Sequence, residues 1–159
     1  MTRTTTAAPT TATAAAPEPA WLAWLFRPVP RAAAPAARVA VLAGIVFGAA
    51  MVATSAVIHL HLWMIGYKHV HLIGPAFMFQ AISGFVLALV MLGYRRLITV
   101  LAGLAFCAGS VVALLLSATV GFLGLHDGLS VPWAGWSLTC ELAGAVILFG
   151  CAGVMLKRR

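Results

Sequence analysis

Four long apolar runs dominate this sequence, at about residues 39–60, 73–94, 97–120 and 132–156. A helix rises 1.5 Å per residue, so roughly 20 apolar residues are needed to cross a hydrocarbon core of about 30 Å. Each run meets that length, and short connections between runs favour antiparallel neighbours. The sequence therefore predicts an all-α fold, a four-helix transmembrane bundle with up-down-up-down topology.

The composition excludes an ordinary soluble domain. Hydrophobic residues make up 63% of the chain and charged residues 8%, whereas soluble domains are roughly 25% charged. The net charge of +7 does not predict nucleic-acid binding, because the basic residues form short clusters between apolar runs and not one solvated face. We therefore expect the lipid bilayer as the partner of this chain, and we do not expect it to bind nucleic acid.

Residues 1–35 differ from the rest of the chain. The first 20 are almost entirely Thr, Ala and Pro, too poor in large apolar groups to offset the entropy of ordering, so we expect a disordered cytoplasmic tail. A short aromatic patch follows, from Trp21 to Arg27, which predicts an anchor in the headgroup layer or, alternatively, an apolar part of the linker that ends near Pro35. Residues 36–159 form the predicted four-span membrane domain.

The basic residues predict the orientation. In a four-span arrangement, Lys68 is the one basic residue on its side of the membrane, and all the others lie on the opposite side. Positive-inside bias then places both termini in the cytoplasm of a multi-pass plasma-membrane protein. The opposite side carries Arg3, Arg27, Arg31, Arg38, Arg95, Arg96, Lys157, Arg158 and Arg159.

All five histidines are expected on or near the outer face: His59, His61, His69, His71 and His126. Two pairs have HxH spacing, which suits zinc, copper or haem iron. On a helix, however, positions i and i+2 point about 200° apart. His59 and His61 are expected to close the first helix and face different ways, whereas His69 and His71 in the loop could converge. A proton-handling role and an interfacial role without chemistry stay open.

The strongest chemical signal is Glu141, an acid inside the fourth apolar run. Such a residue costs at least ~2.5 kcal/mol at mid-membrane on insertion scales and normally faces the bundle interior. Gln80 is expected at similar depth on the second helix and His59 near the outer end of the first, so all three lie in the same outer half of the membrane. Hydroxyls at that depth or slightly deeper come from Thr54, Ser55, Ser83, Ser117, Thr119 and Ser137.

This polar layer allows two interpretations. It could bind a small ligand, a quinone headgroup or an ion, with Glu141 as proton acceptor or charge partner. Alternatively, Glu141 and Gln80 could simply join the helices by hydrogen bonds. Gly44 and Gly48 have the GxxxG spacing of close helix contacts. The sequence contains no phosphate loop, dinucleotide fingerprint or HExxH motif.

One segment carries a resemblance. The stretches His59 to Trp63, Gly66 to His69, Ile73 to Pro75 and Phe77 to Gln80 resemble the first outer loop of small four-helix integral membrane proteins of high-GC actinobacteria. The Ala-rich composition and the Thr/Ala/Pro tail are similar too. The resemblance implies the fold and a membrane location, and it implies no activity.

These observations predict a small plasma-membrane protein that binds a small ligand or a partner protein through its outer polar layer, without catalysis of its own. Glu141, Gln80, His59, Ser83 and Ser137 are the candidate residues of that layer. The alternative is a metal- or haem-binding redox subunit, with copper, zinc or haem held by histidines of the outer rim. A membrane-protein partner or a homo-oligomer is compatible with either. The four candidate ligands of that rim are His59, His61, His69 and His71.

Overall fold

The computed structural model describes residues 19–29, 34–122 and 133–157. The predicted tail over residues 1–18 and the residues His126 and Asp127 lie outside these ranges. The described chain is helical and contains no strand, so the predicted all-α four-helix bundle is confirmed. The helices are α1 (Ala20–Leu25), α2 (Pro35–Ile65), α3 (Ile73–Gly93), α4 (Leu97–Thr119) and α5 (Ala134–Lys157).

Helices α2 to α5 are each long and apolar enough to cross a membrane. Their outward surfaces are covered by large apolar side chains, which a soluble protein would bury: Phe79 is 72% exposed, and Val146 and Phe149 are 70% exposed. A helix that is apolar on all faces satisfies its backbone hydrogen bonds internally and exposes only hydrocarbon. These faces are suited to contact with lipid chains.

Helix α2 lies at the centre of the packing. It packs closely against α3 and α5, and α4 packs mainly against α5. Helices α3 and α5 make no backbone contact with each other in the described chain. Gly44 of α2 faces Cys151 of α5. About two turns later in α2, Met51 faces Gly144, which lies about two turns earlier in α5. Helices α2 and α5 therefore run in opposite directions.

Glycines set the distance between these helices. A Cβ atom built on Gly44 would lie 2.5 Å from the Cys151 sulfur, and one built on Gly48 would lie 2.5 Å from Cδ2 of Leu148. The GxxxG pair of α2 is thus used inside the chain, as the surface on which α5 packs. Because no larger residue fits at either position without moving α5 side chains, the two glycines hold α2 and α5 close together.

The basic residues of the described chain gather mainly at one end of the bundle, which we call the arginine end (Arg27, Arg38, Arg95, Arg96 and Lys157). Here α1 is tied to the start of α4. The backbone N–H of Leu97 donates to the carbonyl of Arg27 at 3.0 Å, and the Arg96 guanidinium donates to the carbonyl of Phe26 at 2.9 Å. The predicted aromatic patch is therefore a short helix attached to the bundle, with Trp21 61% exposed.

We call the opposite end the histidine end (His61, His69, His71 and Trp133). Helix α2 continues to Ile65, five residues past the predicted boundary at residue 60, because no glycine or proline interrupts it before Gly66. His59 and His61 therefore lie within α2, and the expectation that they close it is wrong. Helix α3 begins at Ile73, as the following Gly74 and Pro75 predicted. A Cβ on Gly74 would lie 2.7 Å from the Lys68 carbonyl oxygen.

A buried carboxylate held by three serines

Glu141 is completely buried, with 0% of its surface exposed. It lies seven residues after Ala134, the first residue of α5, which is about 10 Å along the axis from the histidine end. A carboxyl group at this depth is far from bulk water. Its two oxygen atoms must therefore find partners inside the bundle or remain without any.

Oxygen Oε1 of Glu141 accepts three hydrogen bonds from serine hydroxyls on three helices. Ser55 on α2 donates at 2.8 Å, Ser110 on α4 at 2.6 Å, and Ser137 on α5 at 2.9 Å. All three distances are those of ordinary hydroxyl hydrogen bonds, which span roughly 2.5–3.0 Å. The three bonds fix the carboxyl group at the junction of α2, α4 and α5.

These three serines differ from four other hydroxyl residues in the helices of the bundle. The hydroxyls of Thr54, Ser83, Thr119 and Thr139 donate to the carbonyl four residues earlier in their own helix, at 2.7–2.9 Å. That local bond is the ordinary choice of a serine or threonine in a helix. The hydroxyls of Ser55, Ser110 and Ser137 turn instead to Glu141, so the carboxyl group organises its surroundings.

Oxygen Oε2 of Glu141 is buried and has no hydrogen-bond partner among the described residues. An ionised carboxylate has about four acceptor positions over its two oxygens. An unpaired buried acceptor costs ~1–3 kcal/mol, and Oε1 already satisfies the three serines. The carboxyl group thus holds one saturated oxygen and one free oxygen.

His59 extends this cluster toward the histidine end. Its Nδ1 atom lies 2.9 Å from the Ser55 carbonyl oxygen and 3.4 Å from the Ser55 hydroxyl. A carbonyl oxygen only accepts, so Nδ1 is assigned a proton, which it donates to this oxygen. The ring packs edge-on against Phe77, with centroids 5.2 Å apart. His59 is 9% exposed, one helical turn closer to the histidine end than Ser55.

The structure thus joins three of the predicted polar-layer residues, Glu141, Ser137 and His59. It shows no hydrogen bond from the other two, Gln80 and Ser83, to that cluster within residues 34–122 and 133–157. Ser83 donates to the carbonyls of Phe79 and Gln80 in its own helix. The Gln80 side-chain nitrogen is buried and has no partner in the part of the chain that the structure describes. Both belong to α3, which has no backbone contact with α5. Their role in ligand binding stays a prediction.

The candidate metal ligands are spread over the histidine end. His59 contacts Phe77, whereas the ring of His61 lies 5.0 Å from that of Trp133, so the two point to different neighbours, as the helical spacing predicted. His69 and His71 are exposed. Among the described residues, no three His, Cys, Asp or Glu side chains lie close enough to hold a metal ion.

Of the four residues in this carboxyl–serine cluster, one was missed by the sequence analysis and a second was not distinguished. Ser55 was recognised only as one of several hydroxyls, and Ser110 was not singled out. A usable signal for Ser110 was its depth: it lies nine residues before the end of α4, and Glu141 lies seven residues after the start of α5. In antiparallel neighbours that places both at a similar level. The sequence does not reveal which face of α4 turns toward α5.

The chain has no match among protein-family models, curated proteins or solved structures. The resemblance to actinobacterial four-helix proteins therefore stays a prediction. The fold itself defines the class. Four apolar helices of spanning length make this a multi-pass membrane protein, and three of them enclose a buried carboxyl group.

Proposed function

We propose that this protein binds a small polar ligand at Glu141, in the half of the bilayer nearest the histidine end, without catalysis of its own. One observation carries the proposal: the free oxygen Oε2 in a carboxyl group that is otherwise completely bonded. A purely structural carboxyl group would account for the three bonds at Oε1. It would not offset the free-energy cost of burying Oε2, which has no hydrogen-bond partner among the described residues.

The proposed location is the plasma membrane, and the charge distribution supports an orientation with both termini in the cytoplasm. Among the described residues, five basic side chains lie at the arginine end, and Lys68 alone lies in the turn at the histidine end. Under positive-inside bias the histidine end faces outward. The ligand would then reach Glu141 from the outside.

Ser110 is the member of the cluster through which access can be tested. It is partly exposed, whereas Ser55 and Ser137 are buried. In a background with Cys107, Cys140 and Cys151 replaced by alanine, Ser110→Cys should react with trimethylammonium-ethyl methanethiosulfonate, a water-soluble cationic reagent. The anionic sulfonato-ethyl reagent should react at least about tenfold more slowly, because the carboxylate repels it. Labelling is measured by mass spectrometry of membrane vesicles.

The matched control is Val112→Cys in the same background. Val112 lies two residues further along α4 and is 55% exposed on the lipid-facing surface, so a water-soluble reagent should not reach it. Labelling of Ser110→Cys without labelling of Val112→Cys supports a polar site open to water. An unreactive Ser110→Cys, or equal rates with both reagents, contradicts the proposal.

A further inference from the structure

An open groove lies between α2 and α3, in the half of the bundle nearest the arginine end. Its volume is about 310 Å³, and the described residues that line it are all apolar. Ala49 and Ala88 form a buried floor, whereas the larger side chains of Val46, Leu89 and Leu92 are exposed along it. Because the floor carries only methyl groups, a furrow remains on the lipid-facing surface between the two helices.

This groove is separate from the Glu141 site. Gly48 of α2 faces Leu148 of α5, and residues two positions apart on a helix point about 200° apart. Ala50, which lines the groove, therefore lies on the side of α2 away from α5. Helix α3, which forms the other wall, has no backbone contact with α5 in the described chain. A ligand in the groove would thus be recognised by different residues from those around Glu141.

Arg95 lies at the end of the groove. Its Nε donates to the backbone carbonyl of Leu92 at 3.0 Å, and Leu92 is one of the lining residues. The Arg95 side chain is exposed. Its two terminal amino groups have no hydrogen-bond partner among the described residues. A guanidinium has five N–H donors in one plane, so four donors remain for a ligand at this point.

The positive charge of Arg95 is not balanced by an acid of the described chain. Arg27 and Arg96 at the same end donate to backbone carbonyls and not to carboxylates. The acidic side chain among the described residues is Glu141, which lies nearer the histidine end. Guanidinium groups form strong, directional hydrogen bonds with phosphate. The groove and Arg95 are therefore complementary to a molecule that has an apolar chain and an anionic phosphate group.

We propose that this groove binds one acyl chain of an anionic phospholipid, whose phosphate is held by the terminal amino groups of Arg95. Basic sites between membrane helices bind anionic headgroups in this way. Lipid chains are as apolar as the leucine side chains that they contact, so selectivity among phospholipids comes from Arg95. In the orientation proposed above, the arginine end meets the cytoplasmic leaflet, where anionic lipids produce a negative surface potential.

Native mass spectrometry of the full-length protein tests this proposal. The protein is released from mild-detergent micelles that contain equal amounts of phosphatidylglycerol and phosphatidylcholine with the same acyl chains. We expect one retained lipid per chain. Phosphatidylglycerol should be favoured about fivefold, as for one basic side chain beside an anionic headgroup.

Two substitutions of basic residues test the phosphate contact. Arg95→Gln should abolish the preference for phosphatidylglycerol, because the amide is uncharged. Lys157→Gln is the matched control: it removes the same charge at the same end of the bundle, from an exposed residue on α5. The control should keep the preference of the parent protein.

Two alanine substitutions test the groove itself. Ala53 lines the groove and is partly buried, so Ala53→Leu should fill it and abolish retention of both lipids. Ala105→Leu makes the same change at an exposed position of α4 outside the groove, and it should retain lipid as the parent does. If Ala53→Leu fails to fold, the comparison of Arg95→Gln with Lys157→Gln still decides, because both residues are exposed.

Three results would overturn the proposal. The first is equal retention of the two lipids by the parent protein, which would mean that the groove takes any lipid chain. The second is an equal loss of preference in Arg95→Gln and Lys157→Gln, which would indicate attraction by the whole arginine end. The third is a dimer without retained lipid that Ala53→Leu dissociates, which would assign the groove to a second copy of this chain.

Discussion

The two oxygens of one side chain have different surroundings in this protein. Oε1 of Glu141 accepts three hydroxyl bonds, and Oε2 accepts none from the described residues. The first oxygen joins α2, α4 and α5, which is a structural role, and the second is available to a ligand. The interpretations of this layer as a helix junction and as a binding site are therefore compatible, since each uses a different atom.

Substitution at Glu141 separates these roles. Glu141→Leu removes the acceptor of three hydroxyls and should lower the free energy of unfolding by about 2 kcal/mol, at ~0.6 kcal/mol for each membrane hydrogen bond. Glu141→Gln retains an amide oxygen and should lose less than half of that. Unfolding in detergent mixtures of increasing SDS content, followed by tryptophan fluorescence, gives both values. Equal loss in the two variants would argue against the three-bond junction.

At this scale the sequence predicted the acid but not its complete set of partners. Glu141 stood out because a carboxylate in an apolar run is costly, and Ser137 and His59 followed from depth. Ser110 did not stand out, because serine is common in membrane helices and its face depends on the packing of α4. Gln80 has the right depth, but its helix α3 lies away from α5, and depth alone carries no information about lateral position.

Close contacts between the helices depend on glycine residues. Gly48 faces Leu148, and Gly103 faces both Met91 and Leu148. These glycines allow α2, α4 and α5 to approach closely enough for the serines of three helices to reach one oxygen. The spacing of the elements therefore determines whether the site forms at all.

The role of this close packing is testable with alanine. Gly48→Ala would place a methyl group 2.5 Å from Cδ2 of Leu148, and overpacking of this kind costs about 1–3 kcal/mol. Gly150→Ala is the matched control, because nothing lies within 4 Å of the added atom. It should be neutral or slightly stabilising. Thermal unfolding in the same detergent measures both, and a stabilised Gly48→Ala would contradict the packing described.

The attachment of α1 is a second property of the elements. Arg96→Ala removes the guanidinium that donates to the Phe26 carbonyl, and loss of about 1 kcal/mol should increase opening of residues 20–29 about fivefold. Arg95→Ala is the control, because its side chain donates to Leu92 in the preceding helix. Hydrogen–deuterium exchange of that segment reports the difference. Unchanged exchange in Arg96→Ala would mean that the backbone hydrogen bond from Leu97 to Arg27 is enough to hold α1 against the bundle.

Helix positions followed from the sequence within a few residues, and the exceptions have local causes. Helix α3 begins where Gly74 and Pro75 indicated. Helix α2 starts at Pro35 and ends at Ile65, beyond the predicted 39–60, because the prediction used only the apolar run. The helix continues through Arg38 at one end and His61 at the other, since long polar side chains reach water from a helix that extends past the lipid.

The overall architecture was easier to predict than the helix ends or the site, because four apolar runs of spanning length leave few alternatives to a four-helix membrane bundle.

The orientation of the protein in the membrane is open to a direct test. In the cysteine-free background, Lys68→Cys should react with a membrane-impermeant maleimide on intact cells. Lys157→Cys should react only after lysis, because it lies at the arginine end. Mass-tag gel shifts measure both, and the reverse pattern would place the Glu141 site on the cytoplasmic half.

The length of α2 has a consequence for the surrounding membrane. At 31 residues it measures about 46 Å, whereas α3, with 21 residues, measures about 32 Å. Where the two helices meet the same bilayer, the longer one must lean or protrude, and lipids beside it stretch to cover its apolar surface. The protein should therefore partition into thicker membrane regions, and thinner synthetic bilayers should increase the tilt of α2 and displace Ser55 relative to Glu141.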